Sequence, residues 1–183
     1  MDKVTMLSET VVNKLNQQIS LEFYSSNFYL QMAAWCEFKG FGGCASFLYK
    51  HAQEEMTHMQ RLYQYVNDAG SMAIIGSIDA PPTDFETLPD VFEQTYEHEC
   101  FISKKINEVV HTAFTEQDYA TFNFLQWYLA EQHEEEKLFK TILDKIELIG
   151  NDSNSLFFID KEIGSMADNK VVPVDPVITQ DAE

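Results

Sequence analysis

The sequence predicts an all-α protein: a four-helix bundle with one long crossover connection and a short fifth helix near the C-terminal end. Glycine and proline number only 7 and 5 among 183 residues, and all five prolines and six of the seven glycines lie between or beside apolar-periodic segments. Because proline breaks helix interiors and glycine weakens them, this placement outlines the helices. Apolar residues recur at three- and four-residue spacing within these segments, and no strand-like alternation of useful length competes.

The first two predicted helices form an antiparallel pair. The first begins at Ser8, which is a good N-cap residue, and ends at about Lys39, before the glycine-rich turn at 40–43. The second covers about residues 44–69 and is closed by Gly70. Since the turn between them is short, the two helices are expected to be neighbours that run in opposite directions.

A long connection separates the second helix from the third. Residues 71–87 contain the pair Pro81 and Pro82 and show no helical periodicity. The third helix begins near Pro89, a residue type favoured in a first helical turn, and reaches about Phe114. A connection of about 17 residues is long for a compact domain and can cross the whole length of a bundle.

The fourth and fifth helices complete the predicted domain. A polar break at 115–118 precedes a fourth helix over about Tyr119–Ile149, and a short fifth helix covers about Ser155–Met166. The helical domain is therefore predicted to span residues 1–166. Residues 167–183 contain two prolines and no periodicity, so we expect an extended or disordered tail.

Charge and composition narrow the function classes. The chain carries 12 Lys and Arg against 30 Asp and Glu, a formal net charge of −18. This balance disfavours nucleic-acid and anionic-membrane partners, which need clustered positive charge, and it suits cations. No stretch approaches the roughly 20 apolar residues of a membrane span, and no apolar signal core follows the N-terminus. Three cysteines without CxxC spacing fit a reducing compartment, so we expect a cytoplasmic protein.

Each of the four long apolar stripes carries one acid near its middle. These acids are Glu22, Glu55, Glu99 and Glu135. A buried, unpaired carboxylate costs several kcal/mol, and four of them pointing at one axis would repel one another. A bound multivalent cation relieves both costs, and Glu55-x-x-His58 places an imidazole one turn from a carboxylate, within reach of one ion. The stripes therefore predict a metal site in the bundle interior.

The kind of metal follows from the ligand types. Carboxylates with one imidazole and no thiolate favour iron or manganese over a structural zinc ion. The pattern matches that of di-iron bundles, which place a lone Glu on two helices and Glu-x-x-His on the other two. Taken singly, each acid also fits a solvated face, the run Glu131–Glu136 fits an acidic surface, and His51 fits a satisfied core or surface histidine. The prediction rests on the joint occurrence in all four stripes.

Several segments closely resemble bacterial ferritins. The sequence HAQEEMTHMQRL at 51–62 is similar to their second helix. Three further segments are similar to other parts of these proteins: LEFYSS at 21–26, FNFLQWY at 122–128 and EQHEEEKLF at 131–139. The likeness covers about residues 8–165 and includes all five helices. The chain resembles a non-haem bacterial ferritin, which implies the ferritin-like version of the predicted four-helix bundle.

The resemblance assigns a role to each interior acid. It implies that Glu22, Glu55 and His58 hold the first iron of a ferroxidase centre. Glu55 would bridge to a second iron held by Glu99 and Glu135.

The resemblance also implies a surrounding set of residues. Gln132 would lie near the second iron, and a third iron site would comprise Glu54, Glu131 and Glu134. Tyr29 matches the family's tyrosine beside the centre, where it can supply an electron and a hydrogen bond. An ordinary buried tyrosine is the alternative interpretation of Tyr29.

Two departures from related families bear on cofactors and on the route of iron. Bacterioferritins carry a second Glu-x-x-His on the fourth helix, where this chain has Gln132-x-x-Glu135. This difference favours the non-haem branch, so we expect no haem, although Met56 stands at the position of the bacterioferritin haem ligand.

Animal ferritins line a three-fold channel with acids at the positions of Phe122 and Leu125. We therefore expect iron to enter by another route, such as a pore through each subunit.

The sequence thus predicts an iron storage protein with ferroxidase activity. Fe(II) would be oxidised by O₂ or H₂O₂, at two to three iron ions per subunit, and deposited as ferric oxyhydroxide in the mineral core of a 24-subunit homo-oligomeric shell. The main alternative is a di-iron oxidase or peroxidase that acts on a small substrate without storing mineral. A chain of 183 residues leaves little room for a separate substrate pocket, and the Cys-rich module of a rubrerythrin-like peroxidase is absent.

Overall fold

The computed structural model describes residues 5–150 and 152–169, which form a bundle of helices. The helices are α1 (Glu9–Lys39), α2 (Gly42–Asp68), α3 (Leu88–Thr115), α4 (Tyr119–Phe124), α5 (Gln126–Ile149) and α6 (Ser153–Asn169). The most extensive packing joins α1 to α2, α3 to α5, and α6 to α2. The predicted all-α bundle with a crossover and a C-terminal helix is confirmed. Within the described residues, no helix has the length and apolarity required to span a membrane.

Local signals set most helix ends where the sequence predicts them. The Ser8 hydroxyl accepts a hydrogen bond from the backbone N–H of Val11 at 3.2 Å and caps α1. Gly40 ends the same helix with a left-handed backbone (φ 87°), a conformation that glycine adopts without steric cost. Thr87 caps α3 in the same way as Ser8, by accepting from the N–H of Asp90.

The crossover follows α1 along the length of the bundle. Side chains one turn apart on α1 hold its backbone: Asn16 accepts from the N–H of Ile74 at 3.0 Å, and Ser20 accepts from the N–H of Gly76 at 3.0 Å. Farther along, the ring of Phe85 packs edge-on against Trp35, with centroids 5.7 Å apart. The connection therefore carries the chain back to the end of the bundle where α1 terminates, so α3 runs antiparallel to α1.

The predicted fourth helix is divided in two, and the prediction of one continuous element over 119–149 is wrong at this point. Leu125 keeps helical dihedrals (φ −77°, ψ −6°), but its carbonyl accepts from the N–H of Tyr128 as well as from that of Leu129. The additional hydrogen bond to the third residue is the tighter 3₁₀ pattern, which interrupts the regular α-helix at this point. Since Leu125 is fully buried, packing rather than solvent holds this turn.

The interior consists of two apolar clusters with a polar layer between them. The upper cluster includes Phe47, Phe92 and Phe139, and the lower cluster includes Leu15 and Leu62 among other aliphatic side chains. On each of the four long helices, the predicted metal-ligating residues fall between the segments that contribute to the two clusters. The fold thus places those residues at the mid-height of the bundle.

The C-terminal helix docks onto the start of α2. Asp160 on α6 accepts hydrogen bonds from the backbone N–H groups of Gly43 (3.2 Å) and Cys44 (2.8 Å), and so caps a helix whose own N-cap residue supplies no side-chain bond. This cap accompanies a start for α2 two residues earlier than predicted. Helix α6 also extends beyond the predicted Ser155–Met166 at both ends, so the first residues of the predicted tail, 167–169, are helical, and the rest of it lies outside the described residues.

We expect Gly43→Ala to destabilise the protein by about 1–3 kcal/mol because of overpacking. A Cβ atom at Gly43 would lie 2.1 Å from the carbonyl oxygen of Asp160, so α6 would have to move away from α2. Gly42→Ala is the matched control, since a Cβ there meets nothing within 4 Å. Thermal unfolding followed by circular dichroism measures both variants. Equal unfolding temperatures for the two variants would contradict this account of the α2–α6 contact.

Candidate metal centre

Four carboxylates, one from each long helix, lie in the interior. They are Glu22 on α1, Glu55 on α2, Glu99 on α3 and Glu135 on α5, and none is more than 3% exposed. Glu54, beside Glu55, is buried as a fifth. Among the described residues no Lys or Arg side chain is buried.

One group of the layer brings together two carboxylates and an imidazole, which are ligand types that suit a metal ion. Ligand atoms of Glu22, Glu55 and His58 all lie within 4.8 Å of one another. His58 Nδ1 is 3.4 Å from Glu55 Oε2 and 3.9 Å from Glu22 Oε2, yet it makes no hydrogen bond. A buried polar atom without a hydrogen bond is costly, and a cation among these three atoms would remove that cost. The donor set therefore fits a metal ion.

Gln18 orients the Glu22 carboxylate, and sequence reasoning missed it. Its Nε2 donates to Glu22 Oε1 at 2.6 Å, and both side chains are buried. With Oε1 held in this way, Oε2 is the oxygen that faces His58. The available signal was the four-residue spacing of Gln18 and Glu22 on the inward stripe of α1.

Glu99 is held by hydrogen bonds on both oxygens. The Tyr29 hydroxyl donates to Oε1, and Gln132 Nε2 donates to Oε2 at 2.9 Å. Burial and the neighbouring carboxylates raise the pKa of Tyr29 well above its ordinary value, so the phenol stays neutral and keeps its proton for this bond. Glu99 is not a member of the ligand groups within 4.8 Å that the described residues form. The structure thus brings Tyr29 and Gln132 to the centre as partners of Glu99.

Two further groups overlap the first. Glu54, His58 and Glu131 form one, and His51, Glu54 and Glu135 form the other, each with ligand atoms within 4.8 Å. The structure therefore brings two members of the predicted third site, Glu54 and Glu131, close together. The third member, Glu134, is exposed and belongs to none of these groups.

Burial and mutual repulsion favour the protonated carboxyls when no cation is bound. Burial raises the pKa of Glu22 and of Glu55 well above the ordinary value, and the charges of neighbouring acids raise both further. The same two causes raise the pKa of Glu99 to about 7, against the opposing hydrogen bonds from Tyr29 and Gln132. A metal ion that binds here must therefore displace protons.

The bundle and its interior carboxylates define the class of ferritin-like helix-bundle proteins. The family model described as "Ferritin-like domain" matches residues 12–149. The chain therefore belongs to the ferritin family.

Its relatives lie in the bacterial non-haem branch. The chain is 57% identical over 162 residues to a bacterial non-haem ferritin-like protein of Haemophilus influenzae, covering 88% of this chain and 98% of the relative. It is 53% identical over 161 residues to the bacterial non-haem ferritin of Escherichia coli O157:H7, with the same two coverages. Among solved structures, an open pore ferritin of the archaeon Archaeoglobus fulgidus matches with a TM-score of 0.84 and 39% identity over 86% of this chain and 96% of that one.

We expect Gln18→Leu to weaken metal binding at the Glu22 group by about 10–100-fold, the usual effect of losing a hydrogen-bond partner of a metal ligand. The change removes the donor to Glu22 Oε1 and lets the carboxylate rotate. Anaerobic Fe(II) titration calorimetry measures the affinity, and Gln17→Leu at the exposed neighbouring position is the control. An unchanged affinity in Gln18→Leu would show that Glu22 needs no such support.

We expect the metal-free protein to become less stable as the pH rises from 5.5 to 8. An unfolded chain releases the Glu99 proton near pH 4.5, whereas the folded chain holds it up to about pH 7. The unfolded state therefore binds fewer protons over this interval, and the free energy of unfolding falls as the pH increases. Glu22 and Glu55 act in the same direction.

Glu99→Gln should reduce this dependence, because an amide does not titrate. Unfolding temperatures measured at several pH values in the presence of a chelator test the prediction, with Glu97→Gln at the exposed neighbouring site as the control. A slope in Glu99→Gln equal to that of the unmodified protein would contradict the assigned cause.

Proposed function

We propose that this chain stores iron: it oxidises Fe(II) at the buried carboxylate layer and deposits the product as a ferric mineral inside a shell of 24 copies. The observation that carries the proposal is the buried group of Glu22, Glu55 and His58, in an interior that buries no Lys or Arg side chain of the described residues. Membership of the ferritin family and the names of the relatives support iron as the cation.

In this proposal two iron ions are the substrates of the centre. Glu22, Glu55 and His58 bind the first. Glu55 is shared with the second, which Glu99 and Glu135 also hold. Anionic carboxylate oxygen stabilises Fe(III) more than Fe(II), so these ligands favour transfer of electrons from iron to O₂ or H₂O₂. Fixed ligands on four helices also set the separation of the two ions.

The surrounding residues position these ligands and handle protons. Gln132 and Tyr29 hold Glu99 from opposite oxygens, so Glu99 must exchange a hydrogen bond for a metal contact when the second iron binds. Tyr29 is also the aromatic side chain placed to supply an electron. Protons leave the raised-pKa carboxyls as Fe(II) enters, and hydrolysis of Fe(III) releases more.

Assembly into a shell is supported by apolar side chains on the outside of the subunit. Phe38, Phe101, Phe157 and Leu148 are all exposed, and such large apolar side chains are candidates for burial between subunits. The net charge of −18 draws cations to the assembly.

Two positions bear on the expectations about haem and the path of iron. Met56 is half-buried and packs against the lower apolar cluster, which accounts for this residue without haem. Leu125 is fully buried in the same cluster, so it does not line a channel, and we retain the proposal that iron enters through each subunit.

Rapid mixing of the metal-free protein with Fe(II) and O₂ tests the proposal. We expect a fast rise in ferric absorbance that saturates at about two to three iron ions per subunit, followed by slower mineral growth. Glu55→Gln should reduce the initial rate by at least about 10-fold, because it removes the carboxylate that both ions share.

His133→Gln is the control, since His133 is an exposed histidine on α5 outside the layer. A fast phase that survives in Glu55→Gln at full amplitude would remove the assigned centre. A fast phase without later mineral growth in the unmodified protein would favour a di-iron oxidase or peroxidase that stores no iron.

A further inference from the structure

One interior tyrosine has no role in the centre as proposed so far. Tyr128 on α5 is fully buried, and its hydroxyl makes no hydrogen bond of regular geometry with the described residues. A buried hydroxyl has given up its hydrogen bonds to water, so leaving it without a partner opposes folding. Exceptions of this kind are rare in native proteins, and each calls for a reason.

The ring of Tyr128 has two aromatic neighbours. It stacks on Trp127, with centroids 4.8 Å apart and planes 5° apart. The imidazole of His58 lies against it at a centroid distance of 5.5 Å. Because close packing on both sides restricts rotation of the ring, the fold sets the direction of the hydroxyl.

That direction brings the hydroxyl to the first-iron group. Burial raises the pKa of Tyr128 well above its ordinary value, and the charges of Glu22 and Glu55 raise it further. The phenol therefore keeps a proton that it can donate. The groups within its reach are Glu22 and Gln18, but the hydroxyl stops short of a regular hydrogen bond to either of them.

Glu22 has an oxygen that can accept this proton. Gln18 Nε2 donates to Oε1 at 2.6 Å, whereas Oε2 makes no hydrogen bond. An unpaired donor on α5 and an unpaired acceptor on α1 thus lie beside one another in the interior. A change in the orientation of the carboxylate, such as binding of a cation requires, can bring the two together.

We propose that Tyr128 is a positioning residue of the first-iron site: its hydroxyl donates to the Glu22 carboxylate when the cation is bound and, together with Gln18, fixes that carboxylate. This inference rests on the proposed function, because Glu22 is assigned to the first iron there. A carboxylate oxygen has two lone pairs, so it can bind a cation and still accept a hydrogen bond. Hydrogen bonds of this kind orient the ligands of metal ions.

The two donors to Glu22 should act on different quantities. Gln18 holds the carboxylate in this structure, so its bond contributes to folding as well as to metal binding. Tyr128 contributes only once the cation is bound, so its hydroxyl should raise the metal affinity without stabilising the metal-free fold. A tyrosine that served only to fill the core would affect folding and leave the affinity unchanged.

Tyr128→Phe tests the inference because it keeps the ring and removes only the hydroxyl. In the presence of a chelator we expect an unfolding temperature equal to or above that of the unmodified protein, since the hydroxyl has no regular hydrogen bond to lose. Anaerobic Fe(II) titration of the assembled protein measures the affinity without redox chemistry. We expect Fe(II) binding beside His58 to weaken by about 10–100-fold.

The fluorescence of Trp127 reports on this particular site. Its ring lies 5.5 Å from that of His58, so an ion bound to the imidazole alters its emission. The other tryptophan of the chain, Trp35, belongs to the upper apolar cluster and supplies a constant background. The Fe(II) concentration at half of the emission change gives the affinity of each variant.

Two further variants make the result specific. Gln18→Leu should lower both the metal-free unfolding temperature and the Fe(II) affinity. Tyr65→Phe is the matched control: its ring stacks on Phe124 at 3.8 Å, and its hydroxyl lies 2.9 Å from that of Thr121, outside the metal-ligand groups of the described residues. This variant should lower the metal-free unfolding temperature and leave the Fe(II) affinity unchanged.

The outcomes separate the inference from the proposed function. An unchanged Fe(II) affinity in Tyr128→Phe would overturn the positioning role and leave iron oxidation standing. So would a metal-free unfolding temperature as low as that of Tyr65→Phe, because the hydroxyl would then stabilise the fold itself. If Fe(II) changes neither the emission of Trp127 nor the unfolding temperature of the unmodified protein, both proposals fail. A weakened affinity with an undiminished metal-free unfolding temperature supports the inference.

Discussion

The main physical constraint on this structure is the burial of five carboxylates in one layer of a helix bundle. No lysine or arginine among the described residues is buried with them. Such a layer opposes folding unless protons or metal ions neutralise it. Burial and mutual repulsion raise the pKa values of Glu22, Glu55 and Glu99, so protons are favoured in the layer when no metal is present. The fold therefore maintains a site whose negative charge can be balanced either by protons or by a metal ion. Exchange between the two is what uptake and release of a cation require.

The remainder of the bundle makes this layer possible. Two apolar clusters above and below it supply the favourable burial that offsets the cost of the acids, and they exclude water from both sides. The clusters also restrain the layer: Phe139 packs against the rings of both Tyr29 and His51, so a single side chain restrains a partner of Glu99 and a buried imidazole. Gln18 performs the same task for Glu22 by a hydrogen bond.

The features that sequence predicts well are those set by neighbours along the chain. Ser8 and Thr87 cap helices through bonds to residues three positions away, and the inward acids follow from helical periodicity. The missed features depend on distant parts of the chain. Asp160 reaches the start of α2 from a helix more than a hundred residues later, and His51 on α2 meets the carboxylate of Glu135 on α5. Glu134 lies in a run of three consecutive acids that point in different directions around the helix, so composition alone could not tell which of them is exposed.

Anomalous diffraction at the iron edge, from crystals soaked anaerobically with Fe(II), tests the central claim most directly. The account predicts strong iron peaks inside the bundle, within coordination distance of Glu22, Glu55 and His58 and of the acids on α3 and α5. Iron peaks confined to surface acids, with an interior layer of carboxyls bonded only to one another, would show that protons alone balance the buried charge and would contradict the account.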